Sequence, residues 1–230
     1  MNSSAKILLV DDDRGLREFL SIALVAKGYE VIERKRGEDA LEAVQTERPD
    51  AVLLDLGLPD LNGMQVLERL RTWSIVPVIV ISVQNEESTV VKALNTGGDD
   101  YLIKPFSLSL LDARLNAVLR RKRYEPQEDV LTCAKIVMDC TSRLVTVGGQ
   151  KIDLTPNEYA LLHTLLANKG RVVTHKTLLT RVWGEDYVDE RQLLRVHISN
   201  LRKKLEAFTG LAEYLANEVG VGYRLAEPKP

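Results

Sequence analysis

Cysteine, histidine and aromatic residues are scarce in this chain, long apolar runs are missing, and each shortage removes a class of protein. Only two of the 230 residues are cysteines, Cys133 and Cys140, and their spacing fits neither a zinc site nor a CxxC redox pair. A disulfide-stapled secreted scaffold is excluded, and reduced thiols are expected. The three histidines, His163, His175 and His197, are scattered and give no zinc-ligand pattern. No stretch approaches the roughly 20 apolar residues of a membrane helix. The opening Met-Asn-Ser-Ser-Ala-Lys lacks the apolar centre of a signal peptide. The expected location is therefore cytoplasmic, with no membrane insertion.

What is present is ordinary globular composition, with 45% hydrophobic and 28% charged residues, in a length that suits two domains of roughly 100–120 residues. The net charge of −2 conceals an asymmetry. Residues 1–128 carry 17 Lys+Arg against 21 Asp+Glu, whereas residues 129–230 carry 14 against 12. An acidic half joined to a mildly basic half fits a nucleic-acid contact confined to the second.

In the first half, short apolar runs alternate with amphipathic stretches. Residues 6–10, 30–33, 51–54, 77–81 and 101–103 read as buried strands, and 14–27, 37–48, 63–72, 86–96 and 107–121 as helices, punctuated by Gly28, Pro49, Asn62-Gly63 and Gly97-Gly98. This alternation predicts a five-stranded, doubly wound parallel sheet. The pattern fails at 122–128, where Pro126 stops any continuing helix; this linker spans at most about 25 Å. The second half, 129–230, changes character. Residues 135–139, 143–147 and 151–154 read as short antiparallel strands, with Gly148-Gly149 as a hairpin turn. Thr155-Pro156-Asn157-Glu158 is a helix start; further helices are expected over 174–183 and 190–207, then a terminal hairpin near Gly222-Tyr223-Arg224.

Polar residues at the strand ends carry the chemistry. Asp11, Asp12 and Asp13 follow the first strand, Asp55 the third, Ser82 the fourth and Lys104 the fifth. Ligands of open α/β sheets gather outside the carboxyl ends of the strands, so these side chains are expected on one rim. Clustered carboxylates repel one another and suit a hard divalent cation, magnesium for phosphoryl chemistry. Asp55 is the natural nucleophile, with Lys104 and Ser82 placed to hold phosphoryl oxygens. Singly, each residue has a plainer reading: an aspartate after a strand caps the next helix, a lysine is solvated, and Tyr101 is core.

The motifs LLVDDD (8–13), DAVLLDLGLPDLNGM (50–64), PVIVIS (77–82) and DDYLIKPF (99–106) resemble a flavodoxin-like receiver domain over 1–121. The resemblance implies phosphorylation of Asp55 by a sensor histidine kinase. It also implies magnesium bound by Asp12 and Asp55, with Asp11 assisting and the Gly57 carbonyl as a further ligand. Ser82 and Tyr101 become a switch pair, and the Lys104–Pro105 peptide bond is expected to be cis. A symmetric dimer surface follows, with Asp99 and Asp100 pairing with Arg114 and Arg120 or Arg121. Val90 and Leu110 stand where relatives pair a basic with an acidic residue, so either an apolar contact replaces that ion pair or the dimer is weaker than in those relatives.

The stretches LTPNEYALLHTLLANKGRVVTHKTLLTRVWG (154–184), HISNLRKKLE (197–206) and GVGYRL (220–225) resemble the winged helix-turn-helix domain of OmpR/PhoB-type response regulators. In the helix over 190–207, Leu194, Ile198, Leu201 and Leu205 form an inward stripe. The opposite face centres on Gln192, Val196, Ser199, Asn200 and Lys203, flanked by Arg195, His197, Arg202 and Lys204. Amides and basic groups on that face would read double-stranded DNA, with Arg202, Lys203 and Lys204 on phosphates. Arg224 closes the wing, Val219 takes a position where some relatives carry arginine, and Trp183 and Tyr223 are expected in the core. Residues 55–60, 71–82 and 193–206 narrow the resemblance to the KdpE-type regulators of potassium-transport operons, which implies a KdpD-type kinase and direct-repeat operator sites. Two alternatives stand beside this reading: a regulator that acts without phosphorylation, and a magnesium phosphotransferase of the haloacid-dehalogenase type using Asp11–Asp13. The leading reading is a phosphorylation-dependent transcription factor, not an enzyme, with at most slow self-dephosphorylation.

Overall fold

β-branched runs and amphipathic segments alternate along the first 120 residues, and in the computed structural model they form β1 (Lys6–Val10), α1 (Arg14–Ala26), β2 (Glu30–Arg34), α2 (Gly37–Glu47), β3 (Ala51–Asp55), α3 (Gly63–Arg71), β4 (Val78–Ser82), α4 (Glu87–Asn95), β5 (Asp100–Ile103) and α5 (Leu108–Arg120). The structure describes residues 4–120, 130–209 and 214–225. Two compact units divide at Arg120/Arg121; the proposed linker 122–128 and Arg121 lie outside the described residues. The first unit is a parallel sheet in the order β2-β1-β3-β4-β5, the doubly wound fold expected from the sequence.

Successive strand residues point to opposite faces, so one sheet supplies two cores. Leu8, Val10, Val52, Leu54, Val78 and Val80 pack with α2, α3 and Ala93 of α4. Ile7, Leu9, Leu53, Ile79, Ile81 and Leu102 pack with Leu20 and Leu24 of α1 and Leu111, Leu115 and Val118 of α5. Every strand runs in the same direction, so all five carboxyl ends meet along one edge.

The same alternation overturns the expected role of Asp99. It is fully buried and faces α3, where its Oδ2 accepts from Arg71 Nη2 (3.1 Å) and from the Val78 N–H (3.0 Å). Asp100 faces the other way, buried against Arg114 of α5 at 3.2 Å. Both ion pairs are formed within one chain, and Asp99 offers no surface to a second copy.

Arg36, at the cap position of α2, makes no side-chain cap bond. Asp60, from the loop after β3, does this work: its two oxygens accept from the Gly37 N–H (2.8 Å) and the Glu38 N–H (3.1 Å). Burial alone would raise its pKa, but these donors and two N–H groups of its own loop outweigh burial and bring it down to about 2. The folded value lies below the unfolded carboxylate value of about 3.9, so the stabilisation is present above about pH 4 and is lost as pH falls toward 2. Asp60→Ala is expected to cost about 1 kcal/mol at neutral pH. Urea titrations across that range should show wild type and variant converging in acid; a constant gap would remove Asp60 as the cap.

The second unit begins with a four-stranded antiparallel sheet, β6 (Val130–Cys133), β7 (Ile136–Asp139), β8 (Leu144–Val147) and β9 (Gln150–Lys151). Gly148 and Gly149 turn between the last two with φ of 59° and 83°, the left-handed geometry of a tight hairpin. The strand expected over 151–154 stops at Lys151; Ile152 and Leu154, though buried, lie outside it. Then come α6 (Pro156–Leu166), β10 (Val172–Thr174), α7 (His175–Val182), a one-turn 3-10 helix (Glu185–Tyr187), α8 (Arg191–Thr209), β11 (Leu215–Glu218) and β12 (Gly222–Leu225). α6 opens with the capping box read from the sequence: Thr155 accepts from the Glu158 N–H while Glu158 accepts from the Thr155 N–H. β10, β12 and β11 form a second sheet, and the β11–β12 hairpin is the wing.

Candidate phosphoacceptor site and nucleic-acid interface

At the carboxyl edge of the parallel sheet, Asp11 from the β1 end, Asp55 from the β3 end and Lys104 after β5 meet. Lys104 Nζ donates to Asp11 Oδ2 (2.7 Å) and to Asp55 Oδ1 (3.0 Å). Asp11 Oδ1 accepts from the Asp13 N–H (2.9 Å), and Asp55 Oδ2 from the Gly57 N–H (3.1 Å). Burial pushes the Asp11 carboxyl up, against the pull of Lys104. For Lys104 burial acts downward, but its bonds to Asp11 and Asp55 prevail and raise its pKa. The ammonium therefore stays charged. Asp13 is the helix cap of its plainer reading, accepting from the Leu16 N–H (3.1 Å). Gly63 allows the turn: a Cβ there would fall on the Asp55 carbonyl oxygen.

Carboxylate oxygens of Asp11, Asp12 and Asp55 all lie within 4.8 Å of one another, with Asp12 exposed and the other two buried. Three carboxylates against one ammonium leave an excess of negative charge with oxygen donors only, a set that fits a hard divalent cation. On the far side of the rim, Ser82 is buried and its Oγ accepts from the Gln84 N–H (3.1 Å). Tyr101 is also buried, and its hydroxyl donates to the Gln84 carbonyl (2.8 Å). Burial raises the phenol's pKa. The Lys104–Pro105 bond is cis. Val90 is half-buried against the α3-side core, and Leu110 is exposed on α5.

α8 packs on both α6 and α7, so its buried arc is wider than the leucine stripe alone. Leu193, Val196 and His197 are buried with Leu194, Ile198, Leu201 and Leu205. Val196 and His197 are thus removed from the expected DNA face; His197 Nε2 lies 3.2 Å from Asn157 Nδ2 and its ring meets Trp183. Lys204 is turned inward as well, donating to the Asp153 carbonyl (2.9 Å) and to the buried Glu158 carboxylate (2.7 Å). Arg202 Nη2 donates to the Leu215 carbonyl (2.9 Å), joining α8 to the wing, and Arg224 pairs with Glu218 inside the wing. The open face consists of Arg191, Gln192, Arg195 and Lys203, with Ser199, Asn200 and Arg202 half-exposed. Arg191 was missed because it sits at the very start of the helix. Trp183 and Tyr223 are core residues, as expected.

Comparison with known proteins accounts for both units. Residues 7–116 match the response regulator receiver domain, and residues 149–225 match the C-terminal domain of transcriptional regulatory proteins. The chain is 40% identical over 219 residues to the KDP operon transcriptional regulatory protein KdpE of Escherichia coli, covering 95% of this chain and 97% of that one. It belongs to the OmpR/PhoB-type response regulators. This regulator is also 41% identical over 228 residues to the response regulator MprA of a Mycobacterium species, covering 98% and 99%. Its fold matches DrrB, an OmpR/PhoB homologue from Thermotoga maritima, with a TM-score of 0.52 at 30% identity, over 97% of this regulator and all of DrrB. A receiver and a DNA-binding regulatory domain in one chain make it a transcription regulator of the two-component type, which removes the dehalogenase-type alternative. Among the described residues no helix is long and apolar enough to cross a membrane.

Proposed function

We propose that phosphorylation of Asp55 controls operator binding through the open face of α8. The observation that carries this reading is the meeting of Asp11, Asp12, Asp55 and Lys104 at one sheet edge, in a chain whose second unit is a transcriptional regulatory domain. An Asp55 carboxylate oxygen attacks the phosphorus of a phosphohistidine on a sensor kinase. The P–O bond forms as the P–N bond breaks, and the electron pair returns to the imidazole nitrogen. Lys104 holds a phosphoryl oxygen, and the Ser82 hydroxyl turns from the Gln84 N–H to hold another. Asp11, Asp12 and Asp55, with the Gly57 carbonyl, would hold magnesium, which when bound offsets charge on the phosphoryl oxygens.

Ser82 and Tyr101 both bond residue 84, so movement at Ser82 reaches Tyr101 and the surface of α4, β5 and α5. In this reading that surface pairs two phosphorylated copies through Val90 and Leu110, framed by the Asp100–Arg114 pair. Gln192, Arg195, Ser199, Asn200 and Lys203 face the major groove, and Arg191 and Lys203 hold phosphates. Resemblance to KdpE supports a potassium-transport operon as target and a KdpD-type kinase as partner, in the cytoplasm. Any loss of phosphate by the switch itself is slow hydrolysis. Footprint sequencing with and without acetyl phosphate and magnesium tests the reading: occupancy at direct-repeat sites is expected to rise about tenfold, and equal protection under both conditions would sink it.

A further inference from the structure

Three elements of the second unit converge at a residue that the groove-reading face leaves unused. His175 is the first residue of α7 and is half-buried. Its backbone N–H donates to the Val221 carbonyl at the wing turn (3.0 Å). Its ring meets Tyr223 of β12 edge-on, with centroids 5.5 Å apart and planes at 73°. From α8, Arg191 and Arg195 lie close enough to oppose a positive charge on the imidazole, and Arg195 with Arg202 acts on the Tyr223 phenol. The elements packed around α7 also carry charge: Lys176 on α7 itself, Glu185 and Asp186 on the 3-10 turn, and the paired Glu218 and Arg224 of the wing. Burial first, and the two arginines next, push the His175 imidazole below the ordinary histidine range.

We propose that His175 is a further DNA-phosphate contact whose imidazole takes up a proton when the backbone docks, so that duplex affinity rises as pH falls. The proposal rests on α8 being the DNA-binding helix. A phosphate seated among Arg191, Arg195 and His175 reverses the local balance: two cations that repel a third share an anion with it instead. The proton comes from solvent, an N–H⁺···⁻O–P hydrogen bond forms, and no covalent bond changes. Bound protein then holds its proton more tightly than free protein, so binding is weakest above the bound-state pKa and strengthens below it. The remaining histidines are buried, His163 within α6 and His197 against Asn157 and Trp183.

Fluorescence anisotropy of the full chain on a mixed-sequence duplex of roughly 30 base pairs, at constant salt from about pH 8 to about pH 6, is the test. Wild-type affinity is expected to rise about fivefold or more toward the acid end, and His175→Gln to lose that rise. In parallel, the His175 imidazole proton in NMR titrations should shift to higher pKa when duplex is added. A His175→Gln protein that binds DNA with the wild-type pH response overturns the proposal. So does an imidazole titration unmoved by duplex, which decides the matter even if the variant folds poorly. Failure of every form to bind duplex at any pH brings down the α8 reading instead, and this proposal with it.

Discussion

Asp55→Ala is expected to abolish phosphate incorporation from acetyl phosphate and magnesium, by at least about 100-fold as read by intact-protein mass. Neighbouring carboxylates do not replace it. Asp11 has one oxygen on Lys104 and the other on the Asp13 N–H, so both of its oxygens are already engaged. Asp12 belongs to the same cluster but is exposed, and no bond from Lys104 holds it as Asp11 and Asp55 are held. Asp55 alone combines the Lys104 bond with a place at the end of β3, beside the Gly57 N–H. Removing it also relieves repulsion within the acidic cluster, so the variant is expected to stay folded, and Asp55→Asn supplies an isosteric control. Incorporation that continues undiminished would move the acceptor elsewhere and end the phosphorylation mechanism at its first step.

The largest stability effect is expected at Arg71. Its guanidinium donates to the Gly97 carbonyl (2.9 Å), the Ser74 carbonyl (3.2 Å) and the fully buried Asp99 carboxylate (3.1 Å), fastening the end of α3 to the starts of β4 and β5. Arg71→Met strands a buried carboxylate, which costs about 3–5 kcal/mol. That is a large share of the roughly 5–15 kcal/mol holding a domain together. The receiver unit should melt roughly 10–25 °C lower in calorimetry. Adding Asp99→Asn removes the orphaned charge and should recover much of the loss. A loss below about 1 kcal/mol would class the pair with exposed, screened ion pairs.

The order of strands and helices in the receiver was readable because burial on both sheet faces leaves continuous apolar runs, and Gly, Pro and Asn-Gly mark their ends. The rim was readable for the same reason: five strands of one direction force their last residues together. Pairings made across the fold were not. Nothing local to Asp99 announces Arg71, 28 residues earlier, and nothing local to Lys204 announces Glu158, 46 residues earlier. The face of α8 was misjudged by a similar failure. A leucine stripe gives one packing direction, whereas α8 packs on two helices, and the wider buried arc takes in Val196 and His197. The short β10 and β11, of three and four residues, carry too little alternation to be seen before the wing is folded.

Asp60 has a mechanical consequence. The loop after β3 is fastened at both ends, by Asp60 on the first turn of α2 and by Gly63 pressed against the Asp55 backbone. Across the rim, the segment after β4 is tied at Gln84, by one bond to Ser82 and one to Tyr101. The two flanks are therefore held differently, one by pinning to α2 and to the β3 backbone, the other by two side-chain hydroxyls at the entrance to α4.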